Sequence, residues 1–270
     1  MLYHWRVRAL KNPRINYWWR YYTAWRGTRV GNYNELPREI RRLAPGKTFL
    51  DVGCMWGVNG EYAFLAEEAG ATRVVGLDVF GPTPEFEEKR IARNSRVEFV
   101  LGDVTDSRTL QTIGEIDVVF CAGVLYHHPS PFDLLTALRQ VCRTTLILRT
   151  STVPEVKGLP NAAVFFPMLD GAARRLWQLD SLGLLNQVGI STEFRPEEGY
   201  GNWFWGLTPS CLRAMLTVSG FRVDEQWTEA FAQTMVCTPV ATPFRHRLPG
   251  ALEARKMGEA ISEAQSARPA

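Results

Sequence analysis

From residue 47 onward, short apolar runs alternate with stretches of helical spacing. The runs at 48–52, 73–79, 97–101, 116–122 and 145–149 are almost continuously apolar, the pattern of parallel strands covered on both faces. Between them, 59–69 has helical spacing and stops at Gly70, and 131–143 sets Leu134, Leu135, Leu138 and Val141 on one helical face. A helix opening at Thr208-Pro209 and ending at Gly220 precedes strands at 221–227 and 234–240. Their link is short, so they should be antiparallel neighbours. The alternation predicts a doubly wound α/β fold, in which ligands sit beyond the carboxyl ends of the strands.

The rhythm breaks over 152–207, where prolines and glycines mix with Phe165, Phe166, Phe194, Tyr200, Trp203, Phe204 and Trp205. An irregular connection of that length inside a compact domain is usually a binding insertion. Residues 47–240 are therefore expected to form one domain carrying a substrate insertion at 152–207, with 241–270 a flexible tail. Residues 1–46 are read as a basic, aromatic, helical segment that acts as a lid or docking element.

Charge sharpens that division. The net charge is only +3, yet residues 1–47 hold eleven Lys/Arg against Glu35 and Glu39, a balance of +9. Nine aromatics share the stretch, Tyr21 and Trp25 among them, and basic residues interleaved with rings suit phosphate, carboxylate and flat ligands. The five cysteines form no CxxC pair, so neither a disulfide frame nor a metal site is signalled. The longest apolar stretch, 118–126, is far below the ~20 residues of a membrane helix. Arg6, Arg8, Lys11 and Arg14 interrupt any secretory signal. A cytoplasmic protein with no membrane partner is expected.

The candidate chemistry begins at Asp51-Val-Gly53-Cys54-Met-Trp-Gly57. Two glycines four apart at a strand end let the backbone approach a ligand and aim the next helix at it. The spacing is not the GxGxxG of dinucleotide enzymes, and Asp51 beside it would repel a pyrophosphate. A carboxylate there suits a cation such as the ammonium of a methionine moiety. Asp78 closes the second strand, where an acid accepts from ribose hydroxyls. Asp103, in Gly102-Asp103-Val104, is placed to meet an adenine amino group. Three carboxylates after three successive strands, with no phosphate clamp, point to S-adenosyl-L-methionine; the binding set is Asp51, Gly53, Cys54, Gly57, Asp78, Val79, Asp103, Val104 and Ala122.

Over roughly 47–240 the chain resembles the class I S-adenosylmethionine-dependent methyltransferases. Their D/ExGxGxG motif is matched by Asp51 to Gly57 with Met55 at the middle glycine, their acidic strand end by Asp78, and their Gly-Asp pair by Gly102-Asp103. The resemblance implies a Rossmann-like, seven-stranded, mostly parallel sheet with its last strand antiparallel. A narrower likeness lies in Ala122-Gly-Val-Leu-Tyr126-His127-His128-Pro, which is similar to the corresponding loop of the tRNA wobble-uridine carboxymethyltransferase group, where the residue matching Tyr126 lies by the cofactor.

Methyl transfer from a sulfonium needs an aligned nucleophile, a dry site and removal of any proton. The loop after the fourth strand reaches the methyl face, so Tyr126, His127 and His128 are the catalytic candidates, a histidine serving as base near neutral pH. Tyr200, Asn202, Trp203 and Trp205, with Tyr21 and Trp25 from the amino-terminal segment, are the substrate-binding candidates. The leading expectation is a small-molecule methyltransferase. The alternative is an RNA-modifying methyl- or carboxymethyltransferase of the tRNA wobble-uridine type, with residues 1–47 holding the nucleic acid.

Overall fold

The protein is described from a computed structural model, which covers residues 29–30, 35–156, 158–176, 194–229 and 232–241. In chain order the elements are β1 (Arg29–Val30), α1 (Glu35–Leu43), β2 (Thr48–Val52), α2 (Glu61–Glu68), β3 (Arg73–Asp78), α3 (Pro84–Ala92), β4 (Glu98–Leu101), α4 (Ser107–Ile113) and β5 (Ile116–Ala122). A 3₁₀ turn (Leu125–His127), α5 (Pro131–Val141) and β6 (Cys142–Ser151) follow. The expected insertion contributes β7 (Ala163–Phe165), α6 (Gly171–Leu176), a 3₁₀ turn (Pro196–Gly201) and β8 (Trp205–Leu207). The chain continues through α7 (Pro209–Ser219), β9 (Phe221–Thr228) and β10 (Ala232–Pro239).

The main sheet runs β1-β9-β10-β6-β5-β2-β3-β4, and β10 is antiparallel to both neighbours. This is the expected seven-stranded, Rossmann-like methyltransferase sheet, with the two-residue β1 added along its edge on β9. The antiparallel β9–β10 pair is also as expected. The central strands β2, β3 and β5 are buried on both faces. On one side β2, β5 and β6 bury side chains against Ile113, Leu134, Leu138, Leu212 and Leu216 of α4, α5 and α7. On the other they pack on Leu36, Ile40, Tyr62, Phe64 and Phe86 of α1, α2 and α3.

Local signals start and stop the helices where the sheet needs them. Thr83 and Thr208 each precede a proline, and their hydroxyls accept from Phe86 N–H and Cys211 N–H. Gly220, left-handed at φ 95°, ends α7. Helix α1 lays Leu36 and Ile40 on the domain and turns Arg38, Arg41 and Arg42 outward. Within the insertion, β7 pairs antiparallel with β8 in a separate two-stranded sheet over Val153, Phe166 and Trp203. Because β2 lies between β5 and β3, the strand order reverses there, and the crevice opens beyond the carboxyl ends of these strands.

Candidate functional site

The carboxyl ends of β2, β3 and β5, together with the turn after β4, surround one cavity of about 570 Å³. Its walls include Asp51, Asp78, Asp103, Tyr126, His127 and Tyr200. The volume lies in the ordinary range for a small-molecule or cofactor site.

Asp51 is fully buried on β2. The Ala63 amide in the first turn of α2 donates to its carboxyl, yet Oδ2 has no hydrogen-bond partner among the described residues. Burial and the neighbouring Asp78 charge push this carboxyl up to about 7. After Asp51 the chain turns at Gly53, with φ 80°. A Cβ at Gly53 would lie 2.3 Å from Val124 Cγ2, so only glycine passes the loop after β5 so closely.

Asp78 ties the two neighbouring loops together. Its Oδ2 accepts from Met55 N–H at 2.7 Å and its Oδ1 from Phe80 N–H at 2.9 Å. Asp103 accepts at Oδ1 from Thr105 N–H and Oγ1, at 2.8 and 2.7 Å, and at Oδ2 from Tyr200 Oη–H at 2.5 Å. Burial alone would raise the Asp103 carboxyl, but these donors hold it below the usual carboxylate range. Burial, reinforced by the Asp103 bond, pushes the Tyr200 phenol up to about 12.

The two histidines are fixed in different tautomers. His127 Nδ1 lies 2.9 Å from the Asn202 carbonyl, so it carries the proton and Nε2 keeps the lone pair. Burial pushes His127 down to about 4, leaving a neutral imidazole where the sequence suggested a ring titrating near neutrality. His128 Nδ1 accepts from Ser130 N–H at 3.0 Å, which puts its proton on Nε2, 3.9 Å from Asp103 Oδ2. With Nδ1 engaged and the ring buried against Tyr200, His128 has no lone pair facing the cavity.

Not every expected residue reaches the cavity wall. Gly53, Val79, Val104 and Ala122 line it. Cys54 instead points into the core, its sulfur against Gly76, where burial raises the thiol far above its usual range. Gly57 (φ 72°) shapes the turn without lining the cavity. Asn202 is buried and holds the insertion's own turn: its amide donates to the Arg195 and Gly199 carbonyls and its oxygen accepts from Arg195 N–H. Trp203 lies behind Tyr126, ring centroids 4.3 Å apart, as a packing residue. Trp205 donates to the Pro129 carbonyl at 2.9 Å and anchors the insertion to the loop after β5. Tyr21 and Trp25 lie outside the described residues. Trp56, Phe80 and Arg149 line the cavity although the sequence did not single them out.

Residues 49–145 match the family model of a methyltransferase domain. The chain is 33% identical over 181 residues to the tRNA U34 carboxymethyltransferase of Shewanella frigidimarina, covering 62% of this chain and 47% of that one. It is 34% identical over 240 residues to the enzyme of the same name from Shewanella denitrificans, covering 76% and 65%. The chain thus spans less than two thirds of the length of these relatives. Among solved structures, the N-terminal domain of EvdMO1 with SAH bound aligns at TM-score 0.50 and 21% identity, over 77% of this chain and 80% of that one. The 1,6-didemethyltoxoflavin-N1-methyltransferase of Burkholderia thailandensis aligns at TM-score 0.51 and 17% identity, over 76% and 79%. At such identities the two structures speak for the fold alone. Residues 49–145 thus match a methyltransferase domain, carried on the Rossmann-like sheet described above.

Proposed function

We propose that this chain transfers a methyl group from S-adenosylmethionine, held in the 570 Å³ cavity, to a base of transfer RNA. The observation that carries the cofactor assignment is Asp51, whose buried Oδ2 has no partner among the described residues and which lines a cavity with Asp78, Asp103 and Glu198. A buried carboxylate oxygen without a donor is costly unless a ligand supplies one, and an ammonium does. Asp78 would take the ribose hydroxyls, Val79 and Val104 the adenine faces, and Asp103, whose oxygens accept more than one bond each, its amino group. When bound, the cofactor supplies an electrophilic methyl carbon on a sulfonium.

The acceptor assignment rests on tRNA U34, the substrate for which the relatives are named, and on the +9 balance of residues 1–47. It reverses the sequence-based preference for a small molecule. The transferred group is assigned against the relatives' name. Arg149 lines the cavity, but Glu229 holds it with two bonds at 3.0 and 2.7 Å. No other Lys or Arg among the described residues lines the cavity, so a carboxylate on the transferred group would find its one guanidinium already engaged, whereas a methyl group needs no such partner.

Tyr126 and the neutral Nε2 of His127 flank the reacting end. His127 can accept a hydrogen bond and orient a nucleophile, but it is a weak base. The turnover rate at saturating cofactor is therefore expected to stay level from pH 8 to pH 6, and His127→Ala to lose about 10-fold or less through pocket shape. A loss of 10³ with a rate falling through pH 6–7 would restore a general base.

The deciding assay incubates the full chain with methyl-labelled S-adenosylmethionine and bulk tRNA. Nuclease-sensitive label in RNA, with affinity falling steeply in salt, is the expected result. Label appearing only in a small-molecule extract would return the acceptor to that class, and transfer only from a carboxylated donor would overturn the methyl assignment.

A further inference from the structure

The three most exposed apolar side chains at the cavity are Trp56, Phe80 and Val79, and all three form its rim. Trp56 is 60% exposed although it lines the wall. An indole is rarely left that open, and a contiguous apolar rim on a concave site marks a surface that a ligand covers.

Its orientation is held from three sides. The ring lies nearly parallel to His127, 16° between planes and 6.0 Å between centroids. It meets Phe80 edge-on at 5.4 Å and 79°. The third side is Gly201, where a Cβ would stand 2.9 Å from Trp56 Cη2, so the insertion approaches the indole at a residue with no side chain. His127 is in turn backed by Tyr126, with centroids 4.2 Å apart. The loops after β2, β3 and β5 and the insertion thus converge on one ring. A ring so fixed loses little conformational freedom when a second flat group stacks on it.

Resting on the proposed RNA acceptor, we infer that Trp56 is the platform on which the acceptor nucleobase stacks, and so a positioning residue for transfer. A base that leaves its own stack needs a replacement π-face, which an exposed indole at the mouth of the reaction cavity supplies. Trp56 would bind through the acceptor's face and not through its charge, so its contribution should be insensitive to salt, unlike that of residues 1–47.

The test uses the full chain with Trp56→Ala and Trp56→Phe. Transfer to bulk tRNA and affinity for S-adenosylhomocysteine are measured for each. Trp56→Ala should raise KM for tRNA about 10–100-fold, as loss of one base–aromatic stack predicts, with the fold-change the same at low and high salt. S-adenosylhomocysteine affinity should change less than about threefold, and Trp56→Phe should recover most of the loss. Active wild type with an indifferent Trp56→Ala overturns the platform. So does an equal loss of S-adenosylhomocysteine affinity, which would make Trp56 a cofactor wall. Wild type that binds S-adenosylhomocysteine yet labels no RNA rejects the acceptor reading itself, and the platform with it.

Discussion

Asp78→Ala is expected to lower S-adenosylhomocysteine affinity by about 10²–10³, or roughly 3–4 kcal/mol. Two contributions add. The carboxylate is the proposed acceptor for two ribose hydroxyls, and bonds to a charged acceptor are worth about 1.5–3 kcal/mol each. It also holds Met55 N–H and Phe80 N–H, so its loss frees the glycine turn and the loop after β3 together. Asp103→Ala should cost less, about 10-fold, because Thr105 and Tyr200 already satisfy much of that carboxylate and only the bond to the adenine amino group is lost to the ligand. Asp78→Asn separates the contributions: its one oxygen can keep one loop tie but not both. Calorimetry with S-adenosylhomocysteine reads all three variants. Equal, small losses for Asp78→Ala and Asp103→Ala would displace the ribose from β3.

The carboxylates were legible in the sequence because parallel strands end in one plane. A residue at the end of a buried apolar run is delivered to the crevice whatever the intervening helices do, and so Asp51 and Asp78 could be placed without coordinates. Helices α3 and α4 were not legible. In α3 only Phe86 is buried, and one apolar anchor sets no period. The two-residue β1 is too short to leave a pattern.

Side-chain direction inside the glycine turn was the harder question. Cys54 and Trp56 stand two residues apart with no strand alternation to assign them, and the fold sends one into the core and the other to the rim. Residues 200–205 read as one substrate-binding set, yet Tyr200 alone of the four candidates there faces the cavity. Asn202 and Trp203 support the segment from behind, and Trp205 ties it down. The protonation state of His127 was invisible for a different reason: it depends on burial and on a carbonyl 75 residues away.

Asp51→Asn should make the empty protein more stable above pH 7 while weakening its hold on the cofactor. A carboxyl with a folded-state value near 7 and an unfolded value near 4 keeps a proton in the native state that the unfolded chain has lost. Native stability from this group is therefore fully present below pH 4 and declines as pH rises through 7, by at most about 4 kcal/mol. Asparagine never ionises, and its side-chain oxygen can still accept from Ala63 N–H, so the variant avoids that loss and retains the tie to α2. Thermal unfolding at pH 8 should show a midpoint several degrees higher than wild type, with the difference shrinking below pH 7 and vanishing below pH 4. Ligand binding runs the other way. An ammonium pairs with the ionised carboxylate, so wild-type affinity for S-adenosylhomocysteine should fall about tenfold per pH unit below 7, and wild type should release a proton on binding at pH 6. In Asp51→Asn the affinity should be weaker above pH 7 and nearly level with pH. A variant that keeps the wild-type slope would assign the titration to another group, and one that binds with undiminished affinity at pH 8 would remove Asp51 from the cation site. The opposite signs on stability and affinity belong to a buried carboxylate kept for its ligand, since no folding role would favour leaving Oδ2 unpaired.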